Sequence, residues 1–271
     1  MKKGVKVSSS YSSRLFFWIL IAAVVVYVFQ AIFIFGTSFQ YYRHAIANIF
    51  IVILALLALF STIFIYRKIS QNFPREKEGK LFLIISIFLF FLGDLLWLIA
   101  EAVFDKVTPL GSYPDLAWSL AYVALIISLV YFISVGFRPS SRLIYLLVVT
   151  GLVIGGVILF NDVSEDIREG NVGFSHFIQD SYILYDVIVL LLIIYLVWPI
   201  LFEGSQYGWH WVILGGGMLT RLVYDQIFAN MSQNNTYYAG HPIDLLYTFF
   251  YVSVALAFYI KSKDFVRGDD D

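Results

Sequence analysis

The sequence predicts an all-α integral membrane protein of eight transmembrane helices, built as two parallel four-helix repeats with both termini in the cytoplasm. Three observations predict it. The 271 residues are 60% hydrophobic and only 14% charged, with mean hydropathy +0.81, against about 25% charged for an average soluble domain. The apolar residues fall into eight runs near the roughly 20 residues that a helix needs to cross the hydrocarbon core. The basic residues are distributed unevenly between the loops on the two sides.

The runs are Leu15 to Gly36, Ala45 to Tyr66, Leu81 to Phe104, Pro114 to Phe137, Leu143 to Phe160, Tyr182 to Phe202, Trp209 to Asn230 and Pro242 to Ile260. The first exceeds the 7–15 residues of a signal-peptide core, so it reads as a retained helix. No polar stretch between runs is long enough for a soluble catalytic domain. Cytoplasmic loops hold most Lys and Arg. With the N-terminus inside, the inner segments carry Lys2, Lys3, Lys6 and Arg14, then Arg67, Lys68, Arg75, Lys77 and Lys80. Arg138 and Arg142 follow, and finally Lys261, Lys263 and Arg267. The outer loops hold only Arg43, Lys106 and Arg168. An odd helix count would put the basic C-terminus on the wrong side.

The net charge of -1 and the scatter of basic residues over loops exclude nucleic acid as a partner. Cysteine is absent, which removes disulfides and thiolate chemistry. The loop from Asn161 to Asp180 is acidic and is expected on the outer face. Asn230-Met231-Ser232 and Asn234-Asn235-Thr236 are glycosylation acceptor patterns in the last outer loop.

The order of features repeats. Gly93-Asp94-Leu95-Leu96-Trp97 is followed by Pro114-Asp115, Trp118 and Tyr122, and Thr220-Arg221-Leu222-Val223-Tyr224 by Pro242-Ile243-Asp244, Tyr247 and Tyr251. In each half an Asp opens the even-numbered helix, with an aromatic three residues on and a Tyr seven residues on. All three share one helical face. Residues 1–137 and 138–271 then form two repeats in one membrane domain. An even number of helices per repeat relates them by an axis along the membrane normal.

These segments resemble the multipass N-terminal input modules of prokaryotic diguanylate cyclases and sensor kinases. The likeness covers helices three, four, seven and eight. It implies a membrane sensor that senses on the outside, while the 271 residues contain no cyclase or kinase domain, so a signal is expected to leave through a partner protein. A fainter likeness, through Gly93-Asp94 and Asp225, is to the lysoplasmalogenase family of eight-helix membrane enzymes, which implies lipid hydrolysis.

Ionisable groups inside a span cost about 2.5–3.5 kcal/mol each at the bilayer centre on insertion scales, so they face protein or water. Asp94, Glu101, Asp186, Arg221 and Asp225 lie in spans. Asp94 and Arg221 occupy matching positions in the two repeats and are expected to form a buried ion pair. Asp186 and Asp225 have no evident partner, so one is expected to carry a proton. Asp115 and Asp244 stand at helix starts beside proline, which is ordinary capping chemistry, or they rim a cavity as well. Together with Trp97, Trp118, Tyr224 and Tyr247, these groups are expected to line a polar, aromatic pocket open to the outer face, leaving the inner half aliphatic. Gly151 with Gly155 and Gly215 to Gly217 are close-packing patches.

No phosphate loop, Gly-x-Ser-x-Gly, His-Glu-x-x-His or dinucleotide fingerprint occurs. His44, His176 and His241 are scattered over the outer side, and neither metal nor cofactor is expected. The leading expectation is a cell-membrane sensory or receptor-like protein that binds a small molecule or a proton from outside and acts through a cytoplasmic or membrane partner. An intramembrane lipid-modifying hydrolase using Asp94, Asp186 or Asp225 is the second reading, and a small transporter the third.

Overall fold

The computed structural model describes residues 9–36, 43–72, 76–103, 112–135, 142–169, 174–202, 208–233 and 236–267. Among them the chain forms α1 (Ser9–Gly36), α2 (Arg43–Asn72), α3 (Lys77–Leu98), α4 (Tyr113–Val135), α5 (Arg142–Glu169), α6 (Phe174–Phe202), α7 (Trp209–Gln233) and α8 (Asp244–Arg267), with no strand. A π-helical turn, Ile99–Val103, extends α3. Even α3, the shortest at 22 residues, is roughly 33 Å long at about 1.5 Å per residue. That matches a hydrocarbon core of about 30 Å.

Six helices, α1 to α4, α6 and α8, are long and apolar enough to cross a membrane. The sequence reading had all eight crossing. In α7 apolarity is diluted by His210, Arg221, Asp225 and Gln226 around the glycine triplet. The apolar part of α5 is confined to Val148–Val157, ahead of Asn161, Asp162, Glu165 and Asp166. Side chains around the outside of the bundle are apolar: Trp18 is 64% exposed and Phe160 71%. Buried within are Asp94, Asp115, Asp186, Arg221 and Asp244. An apolar exterior around a charged interior suits a lipid solvent.

Helices adjacent in sequence pack together, apart from α4 and α5. α8 also closes against α1 and α2, and α4 against α6. Glycine sets the closest approaches. A Cβ at Gly151 or Gly155 would strike Leu191 or Val187 of α6, and one at Gly217 would strike Ser253 of α8. Gly156 and Gly216 face open space. These patches therefore serve packing, as expected.

Two local expectations change. The outer loop expected over Asn161 to Asp180 is mostly helix, because α5 runs on to Glu169 and α6 begins at Phe174. Nothing before Gly170 breaks the helix, and Val163 and Ile167 continue an i, i+4 spacing. The Asn230-Met231-Ser232 pattern lies in the last turns of α7, not in a loop. Asn234 and Asn235 lie outside the described residues, as do the side chains of His44, His176, Asp162, Glu165, Asp166 and Asp180.

Candidate functional site

At the centre of the bundle Asp94 of α3 accepts three hydrogen bonds. Trp118 Nε1 of α4 donates to Oδ1 at 3.1 Å, and Tyr251 of α8 donates to Oδ2 at 2.5 Å. The Tyr247 hydroxyl also donates to Oδ1. Local sequence explains the convergence. Gly93 has no Cβ, and the Trp118 indole occupies the space that one would fill, which brings Nε1 to the neighbouring carboxylate. Tyr247 and Tyr251 are four residues apart and so lie on one face of α8.

Arg221 of α7 is 4% exposed. It does not form the direct ion pair expected with Asp94. Its Nη2 donates to the Tyr247 hydroxyl at 3.2 Å, and that hydroxyl donates onward to Asp94. Tyr247 thus lies between the two charges. The guanidinium is packed among rings, 3.8 Å from the centroid of Phe90, 4.4 Å from Tyr247, 5.5 Å from Phe250 and 5.8 Å from Tyr122. Stacking of this kind stabilises a desolvated cation by about 2 kcal/mol. Nε stands 4.0 Å from Asp225 Oδ2, one turn along α7. Nε and Nη1 have no hydrogen-bond partner.

A second carboxylate cluster adjoins the first. Tyr122 of α4 bonds Asp225 of α7, and its hydroxyl is also 3.2 Å from Asp186 Oδ1 of α6. Gln226 Nε2 donates to Asp186 Oδ2 at 3.0 Å. Asp186 and Asp225, assigned no partner from the sequence, are therefore joined by one phenol. Tyr122 stacks on Tyr185, 5.5 Å between centroids, and meets Tyr182 edge-on at 6.1 Å.

The helix-start carboxylates behave as caps. Asp115 Oδ2 accepts from the backbone N–H and hydroxyl of Ser112, each at 3.1 Å, and Oδ1 accepts from Tyr182 at 3.1 Å. Asp244 repeats the pattern, with the Gly240 N–H at 2.8 Å on Oδ2 and Tyr237 at 3.1 Å on Oδ1. In each case one oxygen closes the entry turn and the other takes a tyrosine. Burial beside Asp244 pushes the Tyr237 phenol well above its ordinary value. Glu101 accepts from Asn48 of α2 at 2.8 Å. Trp97 packs on Trp118 at 5.5 Å, and Tyr224 lies between Phe228 and Tyr247.

All eleven sequence-selected residues therefore gather in one half of the bundle, toward the ends at which α4 and α8 begin. Sequence reading did not select several hydrogen-bond partners of these groups, among them Tyr122, Tyr251, Gln226, Tyr182, Tyr237 and Asn48. Tyr122 and Tyr251 were noted as repeat features, and their spacing from Asp115 and Asp244 was the available signal. Gln226 had no signal beyond its place beside Asp225. The opposite half, expected to be almost purely aliphatic, holds two buried basic side chains. There Lys80 is 3% exposed and paired with Glu76, and His210 is 5% exposed and 5.1 Å from the Trp211 ring. Among the described residues no group of three His, Cys, Asp or Glu side chains is arranged to hold a metal ion.

The chain matches no protein-family model, no curated protein and no solved structure.

Proposed function

We propose that the chain is a sensory or receptor-like protein of the cell membrane, with eight spans, both termini in the cytoplasm, and an outward-facing polar centre that responds to a small molecule or a proton. The observation that carries this reading is the continuity of the buried polar network. Asp94, Tyr247, Arg221, Asp225, Tyr122 and Asp186 form one chain of contacts across α3, α8, α7, α4 and α6. A change of charge at any member alters the electrostatics of five helices at once, and in a low-dielectric interior such a change is large.

The duplication draws support from the packing. The pairs α1/α2, α2/α3, α3/α4 and α2/α8 have counterparts in α5/α6, α6/α7, α7/α8 and α6/α4, as a twofold axis along the membrane normal would give, whereas α1/α8 has none, because α5 does not pack on α4 among the described residues. The matching caps at Asp115 and Asp244 agree with it. Eight spans and cytoplasmic termini draw support from helix length and from the loop distribution of Lys and Arg. With both ends inside, α4 and α8 begin at the outer face, so the polar centre lies in the outer half.

A sensor of this kind passes its signal to a partner protein by moving the inner helix ends. The test is a pair of spin labels at the inner ends of α4 and α8 in vesicles of known orientation, with the outer solution varied. An inter-label distance that changes with external pH or ligand, without lipid turnover or net flux, supports the reading. An invariant distance overturns it. Accessibility of residues 161–169 to a membrane-impermeant label from the cytoplasmic side alone would overturn the orientation.

The second reading, an intramembrane lipid hydrolase, draws on the two carboxylates that share Tyr122, a geometry suited to general acid–base exchange. Water-dependent turnover of a bilayer lipid, lost in Asp225→Asn, would favour it over the sensor.

A further inference from the structure

We propose that the Asp186–Tyr122–Asp225 cluster is a proton-binding site, with a proton held on the Asp186 carboxyl and the Tyr122 hydroxyl hydrogen-bonded between the two acids. It rests on the sensory reading only in naming that reading's ligand; the site itself is argued from proton counting. A phenol has one hydrogen to donate and also accepts. Tyr122 is bonded to Asp225 and lies 3.2 Å from Asp186 Oδ1. Donation to one carboxylate leaves an oxygen lone pair facing the other, and two lone pairs that approach so closely repel unless a hydrogen lies between them. One further proton on the cluster completes both bonds. Asp186 then donates to Tyr122, and Tyr122 donates to Asp225.

The cations decide which acid carries it. Arg221 is buried, its Nε has no hydrogen-bond partner, and that nitrogen faces Asp225 Oδ2 at 4.0 Å. Asp225 is therefore the acid with a positive charge beside it. Asp186 is 6% exposed and has an amide, Gln226, and a phenol as its hydrogen-bond partners. A buried carboxylate without a cation is far costlier than a buried carboxylic acid.

The groups facing the cluster are these. On α4 there are Tyr122 and, further toward the helix start, Asp115, which accepts from Tyr182 of α6. α6 itself adds Tyr182 and Tyr185. On α7 stand Arg221, Asp225 and Gln226, and on α8 Tyr247, which ties Arg221 to Asp94. α5 meets α6 here through Gly155 against Val187, and among the described residues it sets no ionisable side chain beside Asp186. Around this centre three acids, Asp94, Asp186 and Asp225, share one guanidinium. Asp94 accepts three hydrogen bonds and Asp225 has Arg221 beside it, so these two are the ionised members and Asp186 the neutral one. The groups are already in contact, and a proton is the ligand that fits between them without moving a helix.

The test is infrared spectroscopy of the whole chain in lipid nanodiscs across a pH titration, following the carbonyl stretch of a protonated carboxyl and its shift on exchange into heavy water. A protonated-carboxyl band is expected near neutral pH. It should be lost in Asp186→Asn, which keeps side-chain size, and move to higher wavenumber in Tyr122→Phe, which removes the hydrogen bond but not the ring. Circular dichroism of each variant establishes that the helices remain. A band that survives Asp186→Asn unchanged, one that disappears in Asp94→Asn instead, or no such band at any pH in the wild type would overturn the proposal. No partner or helix movement enters the measurement, so its failure is distinct from failure of the sensory reading. A band that titrates as expected beside an invariant spin-label distance would sink the sensory reading and leave the proton site standing.

Discussion

Removing the Tyr247 hydroxyl tests whether Asp94 and Arg221 interact through it. In Tyr247→Phe the ring remains, so its stacking on Arg221 at 4.4 Å persists, while two hydrogen bonds disappear. One joins Arg221 Nη2 to the phenol at 3.2 Å; the other joins the phenol to Asp94. Hydrogen bonds to charged groups contribute about 1.5–3 kcal/mol each. Asp94 keeps Trp118 and Tyr251, whereas Arg221 loses the one hydrogen bond that the structure gives its guanidinium. The expected loss is therefore about 3–4 kcal/mol, weighted toward the arginine. Arg221→Leu should cost roughly 3–5 kcal/mol, because it leaves a buried carboxylate without its cation. Combining it with Asp94→Leu should recover part of that loss, since coupled sites interact by about 0.5–3 kcal/mol. The decisive measurement is the Asp94–Arg221 coupling in two backgrounds, by reversible denaturant unfolding in mild detergent. With Tyr247 present the coupling should be clear, and in Tyr247→Phe it should shrink by more than half. An equal coupling in both backgrounds would refute the bridge, as would a Tyr247→Phe cost below about 0.5 kcal/mol.

Gly93→Ala should cost about 1–3 kcal/mol, the usual range for overpacking, because its Cβ meets the Trp118 indole and not a flexible chain end. Displacement of Trp118 from Asp94 should also change tryptophan fluorescence, whereas Gly156→Ala, which faces open space, should leave both signals unchanged. Ser112→Ala should destabilise by about 1 kcal/mol, as lost caps do, since the hydroxyl bond to Asp115 at 3.1 Å is removed while the backbone bond stays; thermal unfolding in detergent reads it.

How much of this was legible in the sequence depended on whether the signal was local. Helix positions largely were, because apolar runs of one length mark them, and six of the helices are long and apolar enough to cross a membrane. Accordingly α1 ends at Gly36, α6 at Phe202 and α7 begins at Trp209, as the hydropathy implied. The caps at Asp115 and Asp244 were legible too, since a capping carboxylate bonds to residues three or four positions away in the chain. Partners across the bundle were not. Asp94 and Arg221 were matched by repeat position, and that placed both correctly in the interior. Which atom stands between them depends on which side chains α8 turns toward Asp94 and Arg221. That is fixed by packing between helices, such as Gly217 of α7 against Ser253 of α8, which no spacing rule encodes.

The same limit applies to the segments on α3–α4 and α7–α8, which carry similar sequence features in the same order and yet differ in chemistry. Trp118 and Tyr247 hold equivalent positions, three residues after a capping Asp, and both reach Asp94. Tyr122 and Tyr251 are likewise equivalent, yet Tyr251 bonds Asp94 while Tyr122 lies between Asp186 and Asp225. At the position in the order of features that Asp94 holds on α3, α7 carries Arg221. An arginine there cannot accept from a tyrosine, and the phenol on α4 lies against Asp225 and Asp186 instead. In the shared order of features Arg221 falls where the earlier segment has Asp94, Asp225 where it has Leu98 and Asp186 where it has Asn48, so one cation among three carboxylates reflects three differing positions. Arg221→Asp would remove the guanidinium and leave four buried acids in the network. We expect that variant to unfold in detergent at neutral pH and to recover as pH falls, because acids that must ionise in the unfolded state but can stay protonated in the folded one favour folding at low pH. The check is the thermal midpoint of Arg221→Asp against wild type as a function of pH, where a difference that does not narrow on acidification would show that the extra carboxylate is not held in the buried network.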